Sequence, residues 1–129
     1  MRLHVLAAAL LVGMLSGTDI AAAAFTCPDT PTIQAAITKY INVDYWTPAQ
    51  RETWKVKSVS DFKFGPIRTG QITKRQVDYG PARDICPVAV EYSFVVEKND
   101  GRRETTGMGA NKTHLFYLDD FKNWLFKIS

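Results

Sequence analysis

One histidine and two cysteines are the residues whose chemistry stands out in this sequence. His114 is the only histidine after Ala24, and an imidazole can serve as a general base or as a metal ligand. A zinc site needs further nitrogen or sulfur ligands, and Cys27 and Cys86 are expected to be oxidised. We therefore predict no metal and no cofactor. The alternative to a catalytic His114 is a structural or surface histidine on a strand.

Two short patterns look like catalytic motifs but lack an essential feature. Asp119 and Asp120 could act as paired carboxylates, yet adjacent residues on a strand point to opposite faces, and aspartates in a turn bond the backbone instead. Residues 107–113 lack the glycine that a phosphate loop needs before its lysine, because Asn111 stands there. We interpret the first pattern as a turn and the second as a bend.

Residues 76–80 are similar to the inhibitory hairpin of cystatins, a Gln-x-Val-x-Gly loop, with Gln76 and Gly80 at the matching places. Asp78 stands where that hairpin has its central valine, so a charge replaces the apolar wedge. An ordinary turn that contains an aspartate is the preferred interpretation. Residues 111–113 form an N-glycosylation sequon, which matters only if the host glycosylates exported proteins.

An isomerase or a dehydratase would need an acid or a base beside a pocket. The residues that could line such a pocket are Asp44, Tyr45, Tyr92, His114 and Tyr117. Packing in the core or at its rim explains the aromatic members equally well. No serine lies in a Gly-x-Ser-x-Gly elbow, so no serine nucleophile of that kind is predicted.

The first 24 residues have the features of a secretory signal peptide. Arg2 precedes an apolar run at residues 3–15, and the small residues 21–24 predict cleavage after Ala24. The run is too short for a permanent membrane span, which is the alternative interpretation. Because residues 24–26 do not form a lipoprotein cleavage box, we expect no membrane anchor. Residues 25–129 are predicted to be a single exported domain, periplasmic or extracellular.

An exported protein with two cysteines is expected to pair them, so we predict a Cys27–Cys86 disulfide. The chain-entropy model gives such a bond about 4 kcal/mol for a closed loop of about sixty residues. After cleavage, fifteen lysines and arginines stand against twelve aspartates and glutamates, spread along the chain. This mild and dispersed positive charge does not indicate nucleic-acid binding.

Two helix starts are visible. Thr30 and Pro31 predict a hydroxyl N-cap and a first helical turn, followed by apolar residues at spacings of three and four. These apolar residues are Ile33, Ala36, Ile37, Tyr40 and Ile41. Residues 47–50 carry a second capping pattern, which predicts one short helical turn.

In the rest of the chain, apolar and polar residues alternate with the period of two that is typical of strands. The predicted segments are residues 54–64 ended by Gly65-Pro66, a short strand within 71–77, residues 88–97, a return strand from Arg102, and residues 113–118 and 124–128. Trp54, Val56, Phe62 and Phe64 are predicted on one side of the first segment. Asn99-Asp100-Gly101 and residues 119–123 are predicted turns, and Gly107 and Gly109 are expected to bend the return strand.

This element order and the closing Trp124–Ile128 segment resemble the nuclear transport factor 2-like superfamily and its relatives with a cystatin-like layout. The resemblance implies an α+β fold in which the N-terminal helix packs on a curved, cone-like antiparallel sheet, here of about four strands. The superfamily hosts enzymes, ligand binders and assembly modules, so the layout alone does not determine function.

We expect an exported non-enzymatic binding protein, such as an inhibitor, an immunity protein or an envelope accessory protein. Its partner would be a protein, a second copy of the chain, or a small apolar ligand. The alternative is a small cone-fold isomerase, dehydratase or hydrolase-like enzyme that uses His114 with a Tyr or Asp. Strand alternation would gather the candidate binding residues on one outer sheet face: Lys55, Lys57, Val59, Val95, Leu125 and Lys127.

Overall fold

A computed structural model describes residues 24–109 and 111–129. The predicted signal peptide lies outside the described residues except for Ala24. The elements in chain order are helix α1 (Thr30–Lys39), a π-helical segment (Tyr40–Tyr45), helix α2 (Pro48–Thr53), and strands β1 (Val56–Thr69), β2 (Thr73–Arg75), β3 (Arg83–Lys98), β4 (Arg103–Met108), β5 (Thr113–Leu118) and β6 (Trp124–Ile128).

Side-chain caps start both α-helices. The Asp29 carboxylate accepts from the Thr32 backbone N–H at 3.0 Å, so Asp29 and not the predicted Thr30 is the N-cap of α1. Hydrogen bonding by the Thr32 hydroxyl, and next by the Thr32 backbone N–H, lowers the pKa of Asp29. The cap predicted for α2 is confirmed, because Thr47 Oγ1 accepts from the Gln50 N–H at 3.2 Å.

Strand β3 is the centre of a six-stranded open sheet, and all pairings among the described strands are antiparallel. β1 and then β2 follow one edge of β3. On the other edge, β4 pairs with Tyr92–Glu97 and β5 pairs with Cys86–Ala89, while β6 pairs with β5. The expected α+β class is therefore confirmed, with six strands instead of about four.

Alternation along β3 separates a buried inner face from an outer face. Its inner residues are Val88, Val90, Tyr92, Phe94 and Val96, all of them buried. Helix α1 covers this face with Ile33 and Ile37, and Ile41 of the π-helical segment continues the contact. Trp124 and Phe126 of β6 pack against the same core. Helix α1 and strand β6 therefore share one core with the inner face of β3.

Strand β1 departs from simple alternation. It contains register shifts between Val56 and Ser58 and between Ser60 and Lys63, and Asp61 has φ 56°. These bulges turn Val59 toward the core. The predicted end at Gly65-Pro66 is wrong, since β1 runs to Thr69. Proline is tolerated there because β1 is an edge strand and need not donate from that position.

Two further expectations have clear outcomes. Trp54 was expected on the core side, but it ends α2 and is 58% exposed, so that expectation is wrong. The Cys27–Cys86 disulfide is confirmed and ties the segment before α1 to the buried start of β3. In the part of the chain that the structure describes, no helix is long and apolar enough to cross a membrane.

Candidate ligand-binding site

A cleft of about 200 Å³ opens on the inner side of the sheet, where the ends of β4 and β6 meet the π-helical segment. We call it the aromatic cleft. It is lined by Tyr40, Ile41, Tyr45, Trp46, Tyr92, Phe94, Thr106, Gly107, Met108 and Ile128. None of these described lining residues carries a charge at neutral pH. The lining therefore suits a neutral and mainly apolar ligand.

The π-helical segment forms one wall of this cleft. The Trp46 N–H donates to the Ile41 carbonyl, five residues back, at 3.1 Å. Residues five apart lie side by side in such a turn, and the Tyr40 and Tyr45 rings are 6.5 Å apart. The segment therefore presents a row of aromatic side chains that an α-helix would have spread around its circumference.

Arg51 of α2 fixes the shape of this wall. Its Nε donates to the Trp46 carbonyl at 2.8 Å, and its Nη2 donates to the Asn42 carbonyl at 2.9 Å. The guanidinium thus satisfies two carbonyls of the irregular turn from one rigid side chain. Arg51 is a positioning residue for the cleft and not part of its lining.

Gly107 permits the opposite wall to approach β3. It stands across from Ser93 in the β3–β4 pairing. A Cβ added at Gly107 would lie 2.0 Å from the Tyr92 carbonyl oxygen, so no side chain fits there. The expectation of a bend at Gly107 is thus replaced by a requirement for close backbone approach.

Tyr92, which lines the cleft, forms a buried pair with His114 behind it. The strand register places Tyr92 opposite Met108 of β4 and His114 opposite Ile128 of β6. Tyr92 Oη and His114 Nε2 are 3.0 Å apart. The imidazole is fully buried, and its ring also lies 5.2 Å from that of Phe126.

Both members of this pair are neutral at physiological pH, and burial favours these neutral forms further. It lowers the pKa of His114 to about 4, because the charged imidazolium loses its hydration. It raises the pKa of Tyr92 to about 12, with a smaller contribution from nearby Tyr40. A general base works best with a pKa near the working pH, so this His114 is poorly tuned for that role.

Two buried nitrogens lack hydrogen-bond partners in the described part of the chain: His114 Nδ1 and Trp46 Nε1. Buried polar atoms are nearly always paired, so each such atom needs an explanation. Trp46 lines the aromatic cleft, and His114 lies behind it. The same described residues contain no group of three or more His, Cys, Asp or Glu side chains that could hold a metal ion.

The structure divides the five predicted pocket residues between two places. Tyr45 and Tyr92 line the aromatic cleft, and His114 lies behind it. Asp44 and Tyr117 line a second cleft of about 390 Å³, between the helical segments and β6, which we call the edge cleft. The edge cleft also contains Lys39 and residues 124–128, so its lining is charged on both sides.

The first three candidate binding residues occupy different surroundings. Lys55 precedes β1 and has φ 58°. Lys57 is exposed and lies 3.8 Å from the Glu97 carboxylate. Val59 stands opposite Val96 and packs against the core, because the bulges in β1 shift its alternation. The expected common face therefore does not include Val59.

The other three candidates fall into two groups. Leu125 and Lys127 line the edge cleft, and Lys127 Nζ lies 2.9 Å from the Asp78 carboxylate. Ala89 is the last β3 residue that pairs with β5, and Val95 lies six residues beyond it. Six residues of a strand span about 20 Å, so Val95 is far from Leu125 and Lys127. A contact of any of these residues with a partner stays a prediction, but one partner patch cannot be built from all six.

Residue types alone pointed to Tyr45, Tyr92 and His114 but missed Tyr40, Trp46 and Arg51 as parts of one site. The signal that could have found Tyr40 and Trp46 is the aromatic density of residues 40–46. The predicted turn at residues 119–123 is confirmed as structural, since Asp119 Oδ1 accepts from the Phe121 and Asn123 backbone N–H groups, each at 2.8 Å.

No family model, no curated protein and no solved structure matches this chain. The functional argument therefore depends on the two clefts, the buried pair and the charges around them. The resemblance to cone-shaped folds, which came from the order of elements, stays a prediction.

Proposed function

We propose that this protein is an exported, non-enzymatic binding protein that holds a small, mainly apolar ligand in the aromatic cleft. The observation that carries the proposal is a cleft of about 200 Å³ whose described lining is aromatic, aliphatic and uncharged. A dry cavity of about 150 Å³ is large enough for benzene. The ligand is therefore a single ring with a small substituent, or an aliphatic group of similar size.

Export is supported by two independent features. The N-terminal sequence has the organisation of a signal peptide, and Cys27 and Cys86 form the disulfide expected in an oxidising compartment. A cone-like sheet of the nuclear transport factor 2-like or cystatin-like type would suit a ligand on its inner side. An inhibitor or immunity role would instead use a protein partner.

The specific observation that favours an enzyme is the 3.0 Å contact between His114 and the Tyr92 phenol. A cone-fold isomerase, dehydratase or hydrolase-like enzyme would use these two groups. However, His114 is fully buried and is not among the cleft-lining residues. With its pKa lowered to about 4, the neutral imidazole is a weak base, and the phenol, with its pKa raised to about 12, holds its proton, so binding explains the site better.

Two neighbouring threonines of β4 provide the test. Thr106 lines the aromatic cleft opposite Phe94, and Thr105 lies on the other face opposite Val95. Both are exposed. A Thr106→Trp substitution places an indole at the cleft, whereas Thr105→Trp places the same group on the outer face.

Toluene is the probe, followed by two-dimensional amide NMR of the purified protein. We expect saturable shifts in the wild type, with a dissociation constant of about 1 mM or lower. Thr106→Trp should weaken toluene binding at least tenfold, and Thr105→Trp should leave it near the wild-type value. Equal behaviour of the two variants, or no saturable binding by the wild type, would contradict the proposal.

A further inference from the structure

Two hydrogen-bond donors share a single contact behind the aromatic cleft. A neutral imidazole carries one N–H and a neutral phenol carries one O–H. Tyr92 Oη faces His114 Nε2 at 3.0 Å, and within the described residues His114 Nδ1 contacts no hydrogen-bond partner. One hydrogen fills the contact between the two side chains, and the other must lie elsewhere.

The two possible arrangements differ in where they place this surplus hydrogen. If Tyr92 donates to Nε2, the imidazole hydrogen sits on Nδ1, sealed in the core without an acceptor. If the Nε2–H of His114 donates to Tyr92 Oη, the surplus hydrogen is on the phenol, and Tyr92 lines the cleft. The second arrangement leaves Nδ1 as an unpaired acceptor instead of an unpaired donor, but only this arrangement lets a ligand in the cleft accept a hydrogen bond from the phenol, so a bound ligand with an acceptor favours it.

From this we infer that the aromatic cleft selects a small cyclic ligand with a neutral acceptor oxygen, such as a ketone, aldehyde or ester carbonyl, and that the Tyr92 hydroxyl donates to it. The inference rests on the proposed function, because it names the ligand class of the same site. His114 is a positioning residue, since its Nε2–H occupies the phenol oxygen and leaves the phenol hydrogen to the ligand.

The charges around the cleft narrow the ligand class further. A carboxylate could also accept from a phenol, but no cationic side chain stands among the described lining residues to replace the hydration that the anion would lose. A purely hydrocarbon ligand offers the phenol no acceptor and gains nothing from this donor. A neutral carbonyl satisfies the donor at the smallest desolvation cost.

Acetophenone and α-methylstyrene form a matched pair of probes, because one has C=O where the other has C=CH2 on the same skeleton. The amide NMR titration gives the ratio of their affinities for each protein variant. We expect Tyr92→Phe to reduce the preference for acetophenone about tenfold. The two probes differ in hydration, but this difference is the same for every variant and cancels when the affinity ratios of two variants are compared. Tyr79→Phe is the control, since it removes a phenol from an exposed tyrosine that lines neither cleft and should leave the ratio unchanged.

The outcomes separate this inference from the proposed function. If both probes bind saturably and Tyr92→Phe leaves their ratio unchanged, the inference is overturned while the proposed function stands. If neither probe binds the wild type, the proposed function fails and the inference fails with it.

A second measurement needs no substitution. In the infrared spectrum of wild-type protein with carbonyl-labelled acetophenone, we expect the C=O stretch of the bound ligand below its value in hexane. An unshifted carbonyl band in the bound state would overturn the inference even if the Tyr92→Phe protein failed to fold.

Discussion

The aromatic cleft and the edge cleft share Tyr40 and Ile128, yet they differ in volume and in the charge of their linings. The aromatic cleft is backed by the buried inner face of the sheet and has no charged residue in its described lining. The edge cleft lies beside the last strand and contains Lys39, Asp44 and Lys127. The edge cleft is the larger of the two, but its charged lining suits an apolar ligand less well than the uncharged lining of the aromatic cleft does.

The largest expected difference between the two clefts is in stability. Phe94 is 6% exposed and Leu125 is 41% exposed. We expect Phe94→Ala to lower the free energy of unfolding by about 3 to 5 kcal/mol, because it leaves a cavity in the core. Leu125→Ala should cost less than about 1 kcal/mol. Urea denaturation measures both, and equal losses would mean that the aromatic cleft is not built on the core.

Acid should lower the free energy of unfolding of the protein through His114. Because burial lowers the folded pKa of His114 to about 4, below its ordinary value near 6.5, the unfolded chain takes up a proton first as the pH falls. Stability contributed by the neutral imidazole is therefore present above pH 6.5 and is lost between pH 6.5 and pH 4. The loss from this residue amounts to about 2 kcal/mol at pH 5.

Replacement of His114 by Gln tests this prediction. The variant has no imidazole to titrate, so its free energy of unfolding should fall by about 2 kcal/mol less than that of the wild type between pH 7 and pH 5. Parallel pH profiles for the two proteins would show that His114 is not shielded from water. A large loss of a turnover activity in a folded His114→Gln protein would instead favour the enzyme alternative.

Arg51 should affect the aromatic cleft without touching a ligand. Arg51→Ala removes two hydrogen bonds to carbonyls of the π-helical turn, and we expect stability to fall by about 1 to 2 kcal/mol. Toluene binding should weaken about threefold to tenfold, because Tyr45 and Trp46 lose their fixed positions. Arg75→Ala in exposed β2 is the control. Unchanged toluene affinity in Arg51→Ala would show that the wall keeps its shape without the guanidinium.

The smallest expected effect concerns self-association, and it tests the edge cleft. We expect Leu125→Lys to weaken any dimer seen by sedimentation velocity, since Leu125 lies beside a cleft of mixed charge. Val95→Lys, on a distant part of the outer face, should not change it. A wild type that stays monomeric at all concentrations would contradict the homodimer prediction.

The contrast between β3 and β1 shows what could be predicted from sequence. β3 is paired on both edges, so its pleat is held to a period of two, and its inner residues follow the predicted alternation. β1 is paired on one edge only and accommodates bulges, which its residue pattern did not reveal. The alternation of residue types therefore predicted the buried face of β3 correctly, but it placed Val59 of β1 on the outer face, where it does not lie.

The site was less predictable for a related reason. Tyr92, Tyr45 and His114 were recognisable as candidates from residue type. Their assembly depends on β4 and β5 pairing with different halves of β3, and on a turn with five-residue spacing. Both features are set by tertiary contacts, including the Arg51 guanidinium, and no local pattern specifies them.

The π-helical segment has a consequence for the length of the chain. A π-turn is equivalent to an α-helix with one inserted residue, so deletion of a single residue can restore the regular helix. Val43 is 54% exposed and is the natural residue to remove. Without Val43, Trp46 and Ile41 would be four residues apart, which is the spacing of an α-helical hydrogen bond, so Trp46 would keep its bond to the Ile41 carbonyl. The form of the turn is thus encoded by residue count as much as by residue type, and a one-residue deletion there should leave both the wall and the sheet in place.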